Sequence, residues 1–444
     1  MIGIYMFGFA LFALSLGYPV AWTFGAVALL FGGISAFVEI TANGGFDIVL
    51  FLEEFNLLFS QMPFRIYSIM TNKILMAVPL FIFMGIVLQK SNLAQRLLEA
   101  MGTIFGEIRG GVAVSTVIVG AMLASSTGVV GASVVAMGVI SLPVMLKYHY
   151  DKPFACGTIC ASGTLGQIIP PSIILIILAD VFGVAVGDLF KAAVIPSVVL
   201  VGIYILYILV ISHMDKDVAP ALPQDNSLNK KEQIIVALKA IIPPFFLIFL
   251  VLGSIFAGIA TPTESASVGA VGSLILAYIY KELNYDLLQS SSKETVKITS
   301  MVFAILIGAT AFSLVFVYTG ADTIVEELMT GLPGEKWGFI ILSMLIIFVL
   351  GFFIDFIEIS YIVVPILLPI SETIGIDPIW FAILIAMNLQ SSFLTPPFGF
   401  SLFYLKGVAQ NIKTTDIYKG VMPFIILQMI VLCTLVIFPA IYGF

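Results

Sequence analysis

Hydroxyl and amide side chains cluster at a few interruptions within otherwise apolar stretches of this 444-residue chain. They offer neutral oxygen atoms, which are the ligands that hard cations such as sodium prefer. The backbone N–H and C=O groups that a broken helix leaves free attract an anion and a small cation respectively. The polar candidates for such a site are Ser125, Ser126, Thr127, Thr164, Gln167, Asn388, Gln390, Ser391, Ser392 and Thr395.

Glycines and prolines at the same places predict that the helices are broken there. In lipid, each backbone polar group without a partner costs several kcal/mol, so a break persists only where protein, water or a ligand satisfies it. Small residues also line ordinary helix contacts in membranes, and packing therefore stays an alternative role for each single position. The residues concerned are Gly128, Gly163, Gly166, Pro170, Pro171, Gly351, Pro396 and Pro397.

Two carboxylates, Asp355 and Glu358, accompany the interruption that follows Gly351. An ionisable side chain inside a membrane segment is a candidate functional group, because burying it is costly. The pair would bind a cation or carry a proton. The alternative is that the carboxylates only cap a hairpin tip that faces an aqueous cavity.

The composition excludes most classes of soluble protein. Hydrophobic residues make up 60% of the chain and charged residues 10%, whereas soluble proteins have about 25% charged residues. The net charge of −7 argues against a nucleic-acid partner. At about 20 residues a span, the length accommodates about ten to twelve membrane segments. These values predict an all-α polytopic membrane protein embedded in a lipid bilayer.

The apolar stretches and the charged loops between them divide the chain into five predicted segments. These are N-terminal scaffold spans with interfacial helices over 1–74, a first repeat over 75–212, a cytoplasmic linker over 213–239, scaffold spans over 240–298 and a second repeat over 299–444. Each repeat is predicted to contain an interrupted hairpin and a broken helix, at 111–146 and 154–182 in the first and at 337–371 and 379–405 in the second.

The two halves carry the same features in the same order. Five features recur at a spacing of 225 to 228 residues, and they include the Pro-Pro pairs at 170–171 and 396–397 and the prolines at 143 and 369. Internal repeats of this kind are typical of secondary transporters.

The distribution of basic residues predicts the orientation of the repeats. If both hairpins enter the membrane and return to the same side, one face carries only Arg65, Lys73, Lys191 and Lys336, and the other collects the remaining 15 of 19. The basic face is cytoplasmic by the positive-inside rule. The repeats are then inverted, and both termini lie on the outer side. Hairpins that crossed fully would scatter the charges over both faces.

Other functions are disfavoured by motifs that the sequence lacks. There is no GxxxxGK[ST] phosphate-binding loop, so ATP hydrolysis is excluded. No HExxH motif or Ser/His pair indicates a protease, and no protein-bound cofactor is expected. Energy for uptake must then come from an ion gradient, and the protein is predicted not to be an enzyme.

Three motifs together resemble the large membrane subunit of tripartite ATP-independent periplasmic (TRAP) transporters. They are GTLGQIIPPS at 163–172, GIATPTESA at 258–266 and TPPFG at 395–399. The resemblance extends over nearly the whole chain. It implies sodium-driven uptake of a small organic acid across a bacterial inner membrane, with sodium as the coupling ion and an elevator mechanism. It also implies two partners, a periplasmic substrate-binding protein and a small four-span membrane subunit.

Two other functions stay open from the residues. A stand-alone sodium/dicarboxylate symporter would have similar inverted hairpins and would need no binding protein. A passive channel or a scaffold subunit would not accumulate its substrate against a gradient.

Overall fold

The computed structural model describes residues 1–42, 45, 47–222, 230–409 and 412–444, and the side chains at 94, 103, 126, 127, 230–234 and 236 lie outside the described part. The described residues form helices and no strands, which confirms the predicted all-α fold class.

The helices are numbered here in chain order. They are α1 (Ile2–Ser15), α2 (Val20–Ala42), α3 (Ile48–Phe59), α4 (Met62–Thr71), α5 (Ala77–Lys90), α6 (Leu93–Phe105), α7 (Gly111–Thr127), α8 (Val130–Lys147), α9 (Lys152–Thr164), α10 (Ile173–Phe182), α11 (Val186–Met214), α12 (Lys230–Phe256), α13 (Pro262–Ile279), α14 (Tyr285–Tyr318), α15 (Ala321–Thr330), α16 (Lys336–Leu350), α17 (Phe356–Glu358), α18 (Val364–Thr373), α19 (Pro378–Leu394), α20 (Phe400–Val408) and α21 (Thr414–Ile437). A 3-10 turn (Leu165–Gln167) follows α9, and a π-helical turn (Ile359–Val363) joins α17 to α18.

Helix lengths and surface composition fit a multi-pass membrane protein. Within the described residues, seven helices are long and apolar enough to cross a bilayer, or eight if the bent pair at 77–90 and 95–102 forms one span. Five shorter apolar helices of 10–17 residues accompany them. Large apolar side chains such as Trp22 (77% exposed) and Phe249 (76% exposed) cover the outer surface, as contact with lipid tails requires.

Side-chain caps fix where several helices begin. The Asp151 carboxylate accepts a hydrogen bond from the backbone N–H of Phe154 (3.0 Å), and Pro153 lies in the first turn of α9. At α13, Glu264 Oε2 accepts from the N–H of Thr261 (2.8 Å), and Thr261 Oγ1 accepts from the N–H of Glu264 (3.3 Å). This reciprocal pair is a capping box, and it starts α13 at Thr261.

Thr261→Ala should therefore lower the free energy of unfolding by about 1 kcal/mol, because the backbone N–H of Glu264 loses its side-chain acceptor. The thermal midpoint of the purified protein measures the loss. Thr263→Ala, two residues later in the first turn of α13, is the matched control. Uptake by Thr261→Ala should stay normal. A loss of uptake at unchanged thermal midpoint would instead assign Thr261 to a binding site.

The chain divides into two compact units. Unit 1 contains residues 1–75 and 297–378, and unit 2 contains residues 76–296 and 379–444. In unit 1 an aromatic and aliphatic core joins α1, α2, α14 and the π-helical turn. The Phe24 ring meets the Phe312 ring edge to face with centroids 5.0 Å apart, and Ile362 is buried in the same cluster. The second hairpin thus shares a core with the N-terminal helices.

Unit 2 is held together by very close helix contacts. A β-carbon on Gly157 of α9 would collide with the backbone carbonyl of Gly420 on α21. The helices α5 and α13 also pack together, and two ion pairs, Lys90–Glu294 (2.7 Å) and Arg96–Glu282 (2.8 Å), lie in this unit. Unit 2 contains the first hairpin and both broken helices. The relative positions of three of the four predicted interruptions can therefore be described within this unit.

Candidate functional site

The tip of the first hairpin contacts the first broken helix. Gly128 ends α7 with φ +61°, a conformation that glycine adopts without strain, and the chain turns directly into α8. A β-carbon on Gly128 would collide with the Ile173 side chain at the start of α10. A β-carbon on Gly166 would likewise collide with the backbone carbonyl of Ala124 in α7. Small residues therefore allow the two interruptions to approach closely.

The second broken helix joins the same assembly within unit 2. The Cys160 thiol of α9 donates to the Ser401 carbonyl (3.7 Å), and Ser401 Oγ donates to the Phe393 carbonyl (2.8 Å) across the second Pro-Pro break. The Tyr404 ring of α20 lies against Gly131 of the first hairpin. Both Pro-Pro bonds are cis. Three interruptions therefore lie side by side.

The hydroxyl groups at these breaks donate their hydrogen atoms to backbone carbonyls. Each donates to a carbonyl three or four residues earlier in its own helix, so that only its oxygen lone pairs remain available. A hydroxyl in this state is an acceptor and can coordinate a cation. The bonds, with distances of 2.7–3.0 Å, are those of Ser125, Thr164, Ser391, Ser392 and Thr395.

Two amides at the breaks have no partner within the described part of the chain. Gln167 in the 3-10 turn is 1% exposed and Gln390 in α19 is fully buried, and neither amide makes a hydrogen bond there through its nitrogen or oxygen. A buried polar group without a partner is unfavourable by about 1–3 kcal/mol. Two such groups at the predicted breaks therefore indicate places where a ligand or water supplies the missing bonds.

The sequence around the two Pro-Pro breaks contains no basic residue. The chain has neither lysine nor arginine over residues 153–190 or 378–405. Any anion held here must be bound by amide N–H groups, backbone N–H groups and a co-bound cation. This charge pattern suits the simultaneous binding of a carboxylate and sodium.

The fourth interruption belongs to unit 1 and carries the two carboxylates. The chain turns after Gly351, and Asp355 caps α17 by accepting from the N–H of Phe356 (2.8 Å). Glu358 is 2% exposed, and its Oε2 has no hydrogen-bond partner among the residues that the structure describes. The capping role is therefore real for Asp355, and the tip combines an exposed Phe353 ring (51%) with the buried Glu358 side chain.

The predicted residues are thus placed in two groups. Unit 2 contains those of the first hairpin and both Pro-Pro breaks, including Asn388, which is 2% exposed. Gly351, Asp355 and Glu358 lie in unit 1. Ser126 and Thr127 end α7, and their side chains lie outside the described residues.

Sequence reasoning missed two polar side chains and one backbone feature. Gln428 in α21 and Tyr204 in α11 are fully buried, and their side-chain polar atoms have no partner among the described residues. The π-helical turn after Glu358 was also not predicted, although such turns are common at functional sites. A lone glutamine in an otherwise apolar span was the available signal for Gln428.

Comparison with known proteins identifies the family. Residues 7–441 match the model of the tripartite ATP-independent periplasmic transporter, DctM component. The C4-dicarboxylate TRAP transporter large permease protein DctM of Vibrio cholerae is 31% identical and that of Pseudomonas aeruginosa is 28% identical. These matches cover 79% and 86% of this chain, and 81% and 88% of the two relatives.

A longer relative and a solved structure extend the comparison. The isethionate TRAP transporter permease protein DctMQ of Oleidesulfovibrio alaskensis is 29% identical, and the match covers 83% of this chain and 58% of that protein. The MtrF structure from Neisseria gonorrhoeae superposes with a TM-score of 0.60 at 11% identity, covering 94% of this chain and 95% of that one. That likeness concerns the fold alone.

These relatives are transporters, which confirms that the protein is not an enzyme. The family match over nearly the whole length also confirms the resemblance seen in the three sequence motifs. The chain therefore belongs to the DctM family, the large permease component of tripartite ATP-independent periplasmic transporters.

Proposed function

We propose that this protein drives sodium-coupled uptake of a small organic acid across a bacterial inner membrane. The observation that carries the proposal is the group of three helix breaks in unit 2. Their hydroxyl oxygens are free to coordinate a cation, their amides lack partners among the described residues, and the sequence around the two Pro-Pro breaks has no basic residue to bind an anion. A carboxylate and sodium would neutralise each other there, which lowers the cost of burying either charge.

The proposed substrate is a small carboxylate or related anion, such as a 2-oxo or hydroxy acid. Relatives are named for C4-dicarboxylates and for isethionate, which are small anions. In this proposal a periplasmic binding protein delivers the substrate, and a small four-span subunit packs against the chain. The fused relative DctMQ, of which this chain covers 58%, supports a separate membrane partner. An elevator movement and outer positions for both termini belong to the same proposal.

Reconstitution tests the proposal against its rivals. The chain, its small subunit and its binding protein are placed in liposomes, and uptake of labelled pyruvate, lactate and succinate is followed. Accumulation above the external concentration should require an inward sodium gradient and the binding protein. Uptake by the chain alone would favour the stand-alone symporter, and equilibration without accumulation would favour a passive channel.

Asp355→Asn should raise the sodium concentration for half-maximal uptake, by about tenfold if one charged ligand is lost. Asparagine is an equally good helix cap, so this exchange removes the charge and keeps the acceptor for Phe356 N–H. Sodium titration of uptake measures the effect, with Glu372→Gln on the exposed part of α18 as the control. An unchanged titration would leave Asp355 with the capping role alone.

A further inference from the structure

Gln428 is a polar side chain that the proposed site, as described so far, leaves unused. It lies near the middle of the 24-residue helix α21, is fully buried, and makes no hydrogen bond through either amide atom among the described residues. An amide inside a membrane span is costly unless something binds it. Its depth relative to the helix breaks therefore matters.

Contacts with α11 show that α9 and α21 run in the same direction. Phe154 near the start of α9 lies beside Tyr207, and the Ile168 carbonyl beyond its end accepts from Ser197 Oγ (3.0 Å). The ring centroids of Phe424 and Tyr204 are 5.1 Å apart, and Gly443 beyond α21 lies beside Ile195. Both helices are therefore antiparallel to α11 and parallel to each other.

The contact between Gly157 and Gly420 fixes how far along the shared direction of α9 and α21 Gln428 lies. Gln428 lies eight residues beyond Gly420, and Leu165 lies eight residues beyond Gly157. With a rise of 1.5 Å per residue, both positions are about 12 Å past the contact. Gln428 is therefore level with the 3-10 turn that contains Gln167.

Two hydrogen bonds, one from α19 to α21 and one from α21 to the break that follows α19, give a second, independent depth for Gln428. Trp380 Nε1 donates to the Leu435 carbonyl (3.1 Å), and Tyr418 Oη donates to the Pro397 carbonyl (2.9 Å). The two stretches are antiparallel and of equal length between these anchors. Gln428 is then level with Met387, three residues or about 4.5 Å from the level of Gln390.

We propose that the Gln428 amide is a further substrate ligand, whose N–H group donates to a carboxylate or oxo oxygen of the transported organic acid. The inference rests on the proposed function and adds a residue to the same site. Residues 420–444 contain no charged side chain, so a neutral donor is what this part of α21 can offer an anion. Three buried amides, Gln167, Gln390 and Gln428, then share the recognition of substrate in unit 2.

Gln428→Met tests the inference, because methionine keeps the unbranched shape and removes both polar atoms. The reconstituted complex should show a KM at least about tenfold higher for the probe that wild type transports best among pyruvate, lactate and succinate. The sodium dependence and the thermal midpoint without substrate should be unchanged, or the midpoint raised, since an unpartnered buried amide is removed. Gln428→Leu replaces the variant if methionine does not insert.

Tyr204→Phe is the matched control, because it removes a hydroxyl that, like the Gln428 amide, is fully buried and has no partner within the described part of the chain. It should keep the wild-type KM. The inference would be overturned, with the proposed function intact, if wild type shows sodium-driven uptake and both variants keep the normal KM. A lower thermal midpoint of Gln428→Met with a proportional loss of activity would overturn it as well. Absence of sodium-driven uptake in the wild type would overturn the proposed function, and this inference with it.

Discussion

Gly157→Val should destabilise the protein by about 3 kcal/mol or more. The new side chain would meet the carbonyl and Cα of Gly420, which are backbone atoms that cannot move aside without separating α9 from α21. The contact also sets the depth of the first helix break, so uptake should fall together with stability. The loss is measured by heating the detergent-solubilised protein and recording the fraction that stays monodisperse at each temperature.

Gly202→Val is the control for this substitution. Gly202 lies in α11, and a β-carbon there has no neighbour within 4 Å. The control should lose little stability, since only the backbone and rotamer effects of valine in a helix remain. Equal losses in the two variants would show that helix propensity, and not the α9–α21 contact, explains the effect at Gly157.

Ser391→Leu should reduce uptake by about 100-fold or more while the protein still inserts and stays folded. The exchange removes the hydroxyl oxygen that the proposed site uses as a cation ligand, and it places a larger side chain at a fully buried position. Initial rates of sodium-driven uptake, normalised to protein in the liposome, give the measurement.

Ser273→Leu provides a matched comparison. Ser273 is also fully buried in unit 2 and also donates to its own helix, at the Ala270 carbonyl (2.7 Å), but it belongs to α13 and to no helix break. It should transport at close to the wild-type rate per folded molecule. Normal transport by the Ser391 variant would move the site away from the second break.

Much of the architecture was predictable because membrane helices carry strong local signals. Apolar stretches gave the all-α class, and Gly-Ser-Thr and Pro-Pro sequences marked where helices end. The helix breaks at Gly128 and at residues 168–172, 351–355 and 395–399 lie inside the stretches that the sequence marked as interrupted. The capping box at Thr261 was equally readable, because its chemistry is confined to four neighbouring residues.

Contacts between distant residues were not predictable from one sequence. Gly157 and Gly420 are 263 positions apart, and nothing local indicates that they meet. The second hairpin packs with the N-terminal helices through Ile362 because tertiary packing, and not the repeat, decides which cores form. Gln428 was missed, since its level relative to the breaks follows only from contacts with α9 and α19.

In the proposed function, the two hairpins enter the membrane from opposite faces and return. Cysteine labelling tests this arrangement, with the exposed Cys433 replaced by serine and single cysteines placed at Ile108, Lys147, Pro333 and Thr373. An impermeant thiol reagent should reach positions 108 and 147 only from the cytoplasmic side, and positions 333 and 373 only from the outside. Labelling of 108 and 147 from opposite sides, or of 333 and 373 from opposite sides, would show a full crossing and contradict the inverted hairpins.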